Sequence, residues 1–439
     1  MKSGSHVLTF SRFLQFLIIF AIGVGNAPAT GMPQVAVVLP TTGAQSDAAS
    51  VMRAALEMAY EDAPGGASFP GLVWYDDLGL PDSARLIAER LMTNRTVVAV
   101  LAGDLDDCAL EFVRRADLGK KPLLLIAAPA DTLTRSGSPW VFRVATPTSD
   151  QIDGVLGWAV SVVGAERKIA LIQTDQPAWD NAAQDLKRNL EQRWRGEVVV
   201  HSFKAGQEAP PELLRSLAQQ RPTIVGLAAG TADAARFLKA CRNADWSPAA
   251  YFAGTTQLAE RKLISAAEGA AEYLFAPVVW LPSPTNQLQE SFSRRFTGRY
   301  GEPPNELAAE AYAAMQVIIQ AWSRSPEPSP AALREALEKT DLATPLGQVR
   351  FQDYNGYFNQ NRVETLAVQL QDGVWRTVWP LHRANARYIY PAPDWRERRA
   401  EPVKKVGAAW QLIPILILLA AVLVWLLWQI RVASQRRRQ

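Results

Sequence analysis

The fold is decided by residues 35–77, which read VAVVLP at 35–40, TTGAQSDAAS at 41–50, VMRAALEMAYEDA at 51–63 and GLVWYDD at 71–77. The first and last runs are apolar and rich in β-branched residues, which is typical of strands buried on both faces of a parallel sheet. Between them, apolar residues recur at helical spacing. The stretch predicts a βαβ unit whose first loop, 40–43, opens at the carboxyl end of a strand, where open α/β sheets bind ligands.

The same alternation of strand and helix patterns continues along most of the chain. It occurs four times up to residue 127 and again between residues 151 and 253. Residues 274–280 then lead back to the first set, and helical patterns up to 339 are followed by strand patterns between 349 and 379. We therefore predict an α/β protein with two doubly wound parallel-sheet lobes joined by a hinge, and a cleft between them.

The N-terminal end of the chain carries a targeting pattern. A basic start precedes the apolar core 13–24, and Ala27 and Ala29 form an A-x-A cleavage pattern. These features predict a secretory signal peptide over residues 1–29, with an uncleaved N-terminal anchor as the alternative.

The C-terminal end carries a second and longer hydrophobic segment. Residues 406–430 contain no charged side chain and are long enough to cross a hydrocarbon core of about 30 Å. They predict one transmembrane helix, with a buried core helix as the alternative. The arginines at 431 and 436–438 place the tail 431–439 in the cytoplasm.

These patterns divide the chain into seven predicted segments. They are a signal peptide (1–29), lobe 1 (30–145 and 281–340), lobe 2 (146–280), C-terminal strands completing the lobes (341–382), a juxtamembrane linker (383–405), the transmembrane helix (406–430) and the tail (431–439).

The sequence does not indicate catalysis, a cofactor or a metal. The three histidines, His6, His201 and His382, are too scattered for a triad or a metal motif, and no phosphate-binding GxxxxGK[ST] occurs. Asp76 and Asp77 form a carboxylate pair at a strand end, for which a turn is favoured over acid and base roles. With a net charge of only +3 and no interleaved aromatic and basic residues, we expect no nucleic-acid partner. Cys108 and Cys241 are expected to be unpaired thiols.

At this point the pattern resembles a known family, the type I periplasmic solute-binding proteins of the branched-chain amino acid class, which serve ABC transporters. The likeness covers residues 33–380 and rests on the order and spacing of several motifs. They are VAVVLPTTGA at 35–44, YDD at 75–77, AGD at 102–104, PLLLIAAPADTLT at 122–134, VFRVATPTSDQ at 141–151, IALIQTDQPAWDNA at 169–182, YFAGTTQL at 251–258 and TPLGQVRFQDYNG at 344–356.

The resemblance implies that two lobes close on a small ligand by hinge motion. In that family, hydroxyls and backbone amides of the first lobe hold the ligand carboxylate, an acidic residue of the second lobe holds its ammonium, and an aromatic side chain covers it. These roles satisfy buried charges with donors and counter-charges. Carried onto this chain, they give the candidate ligand-binding residues Thr41, Thr42, Asp104, Asp106, Asp107, Ala128, Asp131, Trp179, Thr231, Thr255 and Thr256.

This chain departs from the family at most of these positions. The loop after the third strand offers three carboxylates, those of Asp104, Asp106 and Asp107, where hydroxyls are expected, and Asp131 replaces a threonine. Thr255 or Thr256 stands where the acidic residue of the second lobe is expected. Trp179 keeps the aromatic role.

The departures change the predicted ligand. Carboxylates facing a ligand carboxylate would repel it by several kcal/mol at the effective dielectric of a partly dry cleft, so a cationic or neutral polar ligand fits better than an amino acid in the usual pose. Structural roles are the alternatives: helix capping for Asp106 and Asp107, a turn for Asp131 and packing for Trp179.

We therefore expect a non-enzymatic, membrane-tethered, extracytoplasmic protein that captures a small polar ligand by lobe closure within an ABC-type uptake system. Its expected partners are the ligand and an inner-membrane permease or another membrane protein. Its expected location is the bacterial inner membrane, with a single span, the main domain in the periplasm and a short cytoplasmic tail. The alternative function is a ligand-sensing receptor or accessory subunit that signals through a membrane partner.

Overall fold

The computed structural model of the chain describes residues 31–43, 45–63, 69–165, 167–283, 286–325, 327 and 329–400. The predicted signal peptide (1–29) and the predicted transmembrane helix (406–430) lie outside this range. Within the described residues, no helix combines the length and apolar character that a membrane crossing requires.

The strands of the described residues are β1 Gln34–Leu39, β2 Gly71–Asp76, β3 Val97–Ala102, β4 Leu123–Leu125, β5 Val141–Arg143, β6 Ile169–Thr174, β7 Val198–Phe203, β8 Ile224–Ala228, β9 Ala250–Ala253, β10 Phe275–Val278, β11 Asp341–Ala343, β12 Gln348–Tyr354, β13 Tyr357–Asn361, β14 Leu366–Gln371 and β15 Val374–Trp379. The helices are α1 Ser46–Glu61, α2 Pro81–Thr93, α3 Asp106–Gly119, α4 Thr148–Gln151, α5 Asp153–Trp158, α6 Pro177–Arg193, α7 Pro211–Gln220, α8 Thr231–Asn243, α9 Arg261–Ala267, α10 Gln287–Tyr300, α11 Glu306–Arg324, α12 Pro330–Glu338 and α13 Trp395–Ala400.

The described residues form two compact units. Unit 1 contains the residues up to Thr148 and Trp280–Glu364, and unit 2 contains Ser149–Val279 and the residues from Thr365 onward. Each unit has its own sheet and its own hydrophobic core.

The sheet of unit 1 has eight strands in the order β11-β12-β13-β5-β4-β3-β1-β2. β1 pairs in parallel with β2 and β3, with Val35 opposite Leu72, so the predicted βαβ unit is confirmed. The apolar residues of β1 are fully buried, as expected for a strand with helices on both faces. Helix α1 packs against α11, and both present alanines at the contact, which allows close approach.

The sheet of unit 2 has seven strands in the order β15-β14-β10-β9-β8-β6-β7. Strands β6 to β10 are parallel, whereas β14 and β15 run antiparallel at one side. The core beneath this sheet includes Trp158, which stacks on Phe275 with ring centroids 3.6 Å apart. The predicted α/β class with two parallel-sheet units is therefore confirmed.

Antiparallel strands correct one part of the prediction, because both sheets are mixed rather than purely parallel. In unit 1, β12 and β13 are joined by Asn355 and Gly356, and in unit 2, β14 and β15 are joined by Asp372 and Gly373. All four residues have positive φ, between 49° and 79°. Two-residue turns of this kind match the twist of an antiparallel hairpin, so these strand pairs cannot be parallel.

The segment after β15, residues 384–400, packs on unit 2, and we call it the C-terminal strap. Gln369 of β14 pairs with Ile389 in both directions: its Oε1 accepts from the Ile389 N–H at 2.8 Å and its Nε2 donates to the Ile389 carbonyl at 2.9 Å. Tyr390 packs edge-on against Trp158 with ring centroids 5.7 Å apart. The strap ends in α13, where Trp395 is 3 % exposed.

Candidate functional site

Five parallel strands of unit 1, β1 to β5, end along one side of their sheet, and we call the loops there the unit 1 edge. The corresponding loops after β6, β8 and β9 form the unit 2 edge. Ligands of open α/β sheets bind at such carboxyl ends. All the predicted ligand-binding residues lie in these loops or at the first turns of the helices that follow them.

The loop after β1 is held by the loop after β2. Thr42 Oγ1 donates to Asp76 Oδ2 at 2.8 Å, and the Leu78 N–H donates to Asp76 Oδ1 at 2.9 Å. Partial burial alone would raise the pKa of Asp76, but the hydrogen bonds from Leu78, Thr42 and Thr41 hold it below its usual value. Asp76 is therefore ionised, and it fixes the loop that carries Thr41 and Thr42.

Asp77 turns inward, is 4 % exposed and accepts a hydrogen bond from the Gly79 N–H at 3.0 Å. Burial raises its pKa, and the charge of Asp76 raises it further. Asp76 and Asp77 therefore close the turn after β2, which is the structural role that the sequence favoured over catalysis.

Asp104 lies in the loop after β3, and its own backbone N–H hydrogen-bonds to its carboxylate. Its Oδ1 is buried and has no hydrogen-bond partner among the described residues. Burial raises the pKa of Asp104, and the carboxylates of Asp77 and Asp106 raise it further. An ionised Asp104 at this position requires a cation or a hydrogen-bond donor, which a ligand can supply.

Asp106 is the first residue of α3 and joins two loops of the unit 1 edge. Its Oδ1 accepts from the Ala130 N–H at 2.7 Å. Burial raises the pKa of Asp106, although the nearby Arg143 opposes the shift. The alternative of helix capping is wrong for Asp106 and Asp107, because the N-cap position of α3 is Leu105 and no side chain makes a capping hydrogen bond there. Asp107 lies in the first turn of α3 and is exposed.

Ala128 and Asp131 lie in and after the loop that follows β4, close to Arg143. Ala128 is fully buried, and its carbonyl faces Nη1 of Arg143 at 3.4 Å. The Asp131 carboxylate lies 3.6 Å from Nη2 of Arg135, and its charge also acts on Arg143. Asp131 begins a short 3-10 turn, so it also has the turn role that the sequence left open.

Arg143 at the end of β5 was not predicted as a site residue. Its side chain is fully buried, donates to Gln360 Oε1 at 2.5 Å and to the Ala130 carbonyl at 2.6 Å, and lies over the ring of Tyr357. Burial lowers the pKa of its guanidinium to about 10. Arg143 is the charged residue in the apolar run VFRV, and that interruption was the signal available in the sequence.

Glu310 of α11 also escaped prediction. It is 3 % exposed, and burial raises its pKa well above the usual value, with Glu306 and Asp104 adding repulsion. A glutamate on the alanine-rich, buried face of a helix was again a visible signal. Unit 1 thus brings together buried carboxyl groups from α11 and from the loops after β2 and β3, and the repulsion raises the pKa of each.

The unit 2 edge has a different character, because it offers hydroxyls and an aromatic ring. Trp179 lies in the first turn of α6 and is partly exposed, with its ring beside Gly230: a Cβ built on Gly230 would lie 3.7 Å from Cζ2 of Trp179. Thr231 follows as the first residue of α8 and is also partly exposed. Trp179 therefore lies beside the residue that precedes Thr231 at the unit 2 edge.

Thr255 and Thr256 follow β9, beside the loops after β8 and β6 in the sheet. The Thr255 hydroxyl is buried and has no hydrogen-bond partner among the described residues, and the same holds for Thr174 at the end of β6. Both threonines that stand in place of the expected acidic residue are partly exposed. The unit 2 edge thus carries hydroxyls able to donate to or accept from a polar group.

A family model described as periplasmic binding protein matches residues 33–373. The chain belongs to this family. Within it, the likeness is to the type I proteins of the branched-chain amino acid class, as the sequence motifs indicated. No curated protein matches the chain in sequence.

Solved structures share the fold of this periplasmic binding protein at low sequence identity. A putative branched-chain amino acid ABC transporter protein from Rhodospirillum rubrum has a TM-score of 0.66 at 22% identity, covering 79% of this chain and 100% of the other. The leucine-binding protein LivK of Thermotoga maritima has a TM-score of 0.63 at 20% identity, covering 79% of this chain and 97% of the other. A solute-binding protein of R. palustris in complex with benzoate has a TM-score of 0.63 at 18% identity, covering 82% of this chain and 98% of the other.

Possible metal ligands and the two cysteines are the other chemically reactive groups of this periplasmic binding protein. Among the described residues, no group of three or more His, Cys, Asp or Glu side chains is arranged to hold a metal ion. Cys108 and Cys241 are both free and buried, so the expectation of unpaired thiols is confirmed.

Proposed function

We propose that this chain is a membrane-tethered, extracytoplasmic solute-binding protein that captures a small polar ligand with a cationic group by closure of its two lobes. Capture would serve an ABC-type permease of the same membrane, as expected for the family. The predicted signal peptide and the predicted helix 406–430 supply export and the tether.

The observation that supports this ligand class is the buried Oδ1 of Asp104, which has no hydrogen-bond partner among the described residues. Asp104, Asp106 and Glu310 all have pKa values raised first by burial, and like charges raise them further. A cationic group at about 4 Å from one ionised carboxylate would gain about 4 kcal/mol at an effective dielectric of 20. An anionic ligand, such as the benzoate bound by the R. palustris protein, would meet repulsion instead.

The unit 2 edge supports a polar ligand of modest size. Trp179 offers a ring face, which attracts cations, and Thr255 offers a hydroxyl without a partner among the described residues.

The test is thermal unfolding of the full chain in lipid nanodiscs with putrescine, L-arginine, L-leucine or sodium benzoate. A ligand at 100 times its Kd stabilises the folded state by about 2.7 kcal/mol, which is readily measured as a rise in melting temperature. We expect putrescine or L-arginine to raise the melting temperature, and Asp104→Asn to abolish the rise. The control Asp82→Asn should retain it, because the Asp82 side chain is 95 % exposed and is not a candidate ligand-binding residue.

Two outcomes contradict different parts of the proposal. A rise with L-leucine or benzoate that survives Asp104→Asn would overturn the cationic ligand class but keep solute capture. The absence of a rise with any of the four compounds, and with a wider set of amides and polyamines, would contradict solute capture itself.

A second candidate function, a ligand-sensing receptor or accessory subunit, is favoured by the C-terminal strap. Because the strap packs on unit 2 as far as α13, only residues 401–405 separate the last described helix from the predicted span. Movement of unit 2 would then be passed to the membrane helix. Photo-crosslinking from position 411 or 429 discriminates the two: capture of a permease supports uptake, and capture of a signalling protein supports sensing.

A further inference from the structure

The contacts of residues 392–398, the last part of the C-terminal strap, gather at one end of the parallel strands of unit 2. The Ala392 N–H donates to the Ala249 carbonyl at 2.7 Å, and Trp395 Nε1 donates to the Trp246 carbonyl at 2.8 Å. Both acceptors lie within four residues before β9, which begins at Ala250. Arg398 Nη1 donates to the Glu272 carbonyl at 3.1 Å, just before β10. The strap therefore ends at the amino end of β9 and β10, opposite the unit 2 edge.

The attachment is built from buried groups as well as surface contacts. Trp395 is 3 % exposed, and the guanidinium of Arg398 lies 4.1 Å from its ring and 5.0 Å from that of Tyr273. Arg398 Nε also donates to the Pro393 carbonyl at 2.8 Å. Asp394 accepts from the N–H groups of residues 396 and 397, which fixes the start of α13.

The length of chain beyond the strap limits how far unit 2 can lie from a membrane. From residue 400 to residue 406, where the predicted span begins, the chain makes six residue steps. At no more than about 3.6 Å per residue, this connection reaches at most about 22 Å. A flexible tether of the whole segment 383–405 would reach more than three times as far, because it has 23 residues.

We propose that the C-terminal strap seats unit 2 on the bilayer by the amino end of its parallel strands, so that the unit 2 edge with Trp179 and Thr255 faces away from the membrane. This inference rests on the membrane tether of the proposed function. Arg396, whose side chain is 82 % exposed, lies at the same end, and its Nε donates to Asp245 Oδ2 at 3.1 Å.

The test uses two fluorescent labels that flank β9 at opposite ends of unit 2. Asn243→Cys lies at the end of α8, before β9, and Gln257→Cys lies after β9; both native residues are exposed. The full chain is placed in vesicles of phosphatidylcholine and phosphatidylglycerol with a headgroup-labelled acceptor lipid. We expect energy transfer from position 243 to exceed that from position 257.

Two further variants test the cause of that difference. Trp395→Ala with Arg398→Ala should release the strap and remove the difference between the labels. If that variant does not fold, insertion of twenty Gly and Ser residues after position 400 leaves the strap intact and should also remove the difference. Equal transfer from both labels in the unaltered chain, or stronger transfer from position 257, would overturn the proposed seating.

Two separate measurements distinguish failure of the proposed seating from failure of the proposed function. Flotation of the full chain with vesicles after carbonate extraction reports the tether, and its loss would overturn both the tether and the seating. The thermal shift with putrescine or L-arginine reports ligand capture and does not depend on the seating.

Discussion

Nε of Arg143 donates to Oε1 of Gln360 over 2.5 Å, although 217 residues separate the two along the chain. The contact joins β5 to β13, a strand that the sequence did not predict. Gln360 also donates to the Ala145 carbonyl at 2.8 Å, so a single fully buried amide satisfies both a guanidinium and a backbone oxygen of unit 1.

Replacing this amide should destabilise unit 1. Gln360→Leu leaves the buried guanidinium short of an acceptor, which should cost about 3 kcal/mol. The matched control is Gln352→Leu, because Gln352 lies on the adjoining strand β12 and is exposed. Calorimetric unfolding of the full chain measures the melting temperatures of both variants. Equal melting temperatures for the two variants would show that Gln360 does not stabilise Arg143.

The carboxyl groups of the unit 1 edge predict an unusual pH dependence of stability. Because burial raises the pKa of Asp104 in the folded state, the folded state holds protons more tightly than the unfolded state. The contribution of Asp104 to the free energy of unfolding is therefore fully present below its pKa in the unfolded chain, near 4. It is lost as the pH rises through the higher pKa that Asp104 has in the folded protein.

Asp104→Asn should accordingly stabilise the unliganded protein by about 1 kcal/mol at pH 7, by removing an unpaired carboxylate, and should have little effect at pH 4. Asp107→Asn is the control, since Asp107 is exposed. Melting temperatures between pH 4 and pH 7 provide the measurement. A destabilising effect of Asp104→Asn at pH 7 would mean that the carboxylate has a counter-charge in the folded protein.

Two glycines in helices should respond to alanine in opposite directions. A Cβ on Gly154 of α5 would lie 2.5 Å from the backbone carbon of Leu366, which cannot move without disturbing β14. Gly154→Ala should therefore destabilise unit 2 by about 2 kcal/mol. Gly298 of α10 is exposed with nothing within 4 Å, so Gly298→Ala should stabilise unit 1 by about 0.5 kcal/mol.

Denaturant titration of both glycine variants checks this pair of effects. Tolerance of alanine at position 154 would show that α5 is not held tightly against β14.

The two native thiols should be unreactive in the folded protein. Burial raises the pKa of Cys108 and of Cys241 to about 12, so the nucleophilic thiolate is scarce at pH 7.5. We expect maleimide to modify neither cysteine without denaturant, both in guanidinium chloride, and the exposed Asn243→Cys variant rapidly. Fast modification of the native chain would indicate that one of the two units opens readily.

The fold was largely predictable because its signals are local. The β-branched run at β1, the helical spacing of α1 and the alternation that follows give each element from a few neighbouring residues. The Asn-Gly and Asp-Gly turns are equally local signals of a hairpin. The carboxylates of the loop after β3 became candidates through the resemblance to the family, which placed that loop at the ligand.

The parts that escaped prediction depend on partners distant in sequence. Glu310 and Asp104 repel each other although they are 206 positions apart, and β13 pairs with β5 through Gln360 and Arg143. A polar residue at a buried position signals that a partner exists, but periodicity does not identify that partner. The packing of the C-terminal strap on unit 2 was not predicted. It depends partly on the side-chain amides of Gln369 and Gln371, which the spacing of hydrophobic residues does not reveal.

Because Gln369 binds the backbone of Ile389 and Tyr390 packs on Trp158, the boundary chosen for recombinant fragments matters. A truncation after position 383 would strip the cover from Trp158, leave the amide of Gln369 without its partners and invite aggregation. Fragments for crystallisation should extend through residue 400, and affinity tags belong beyond it.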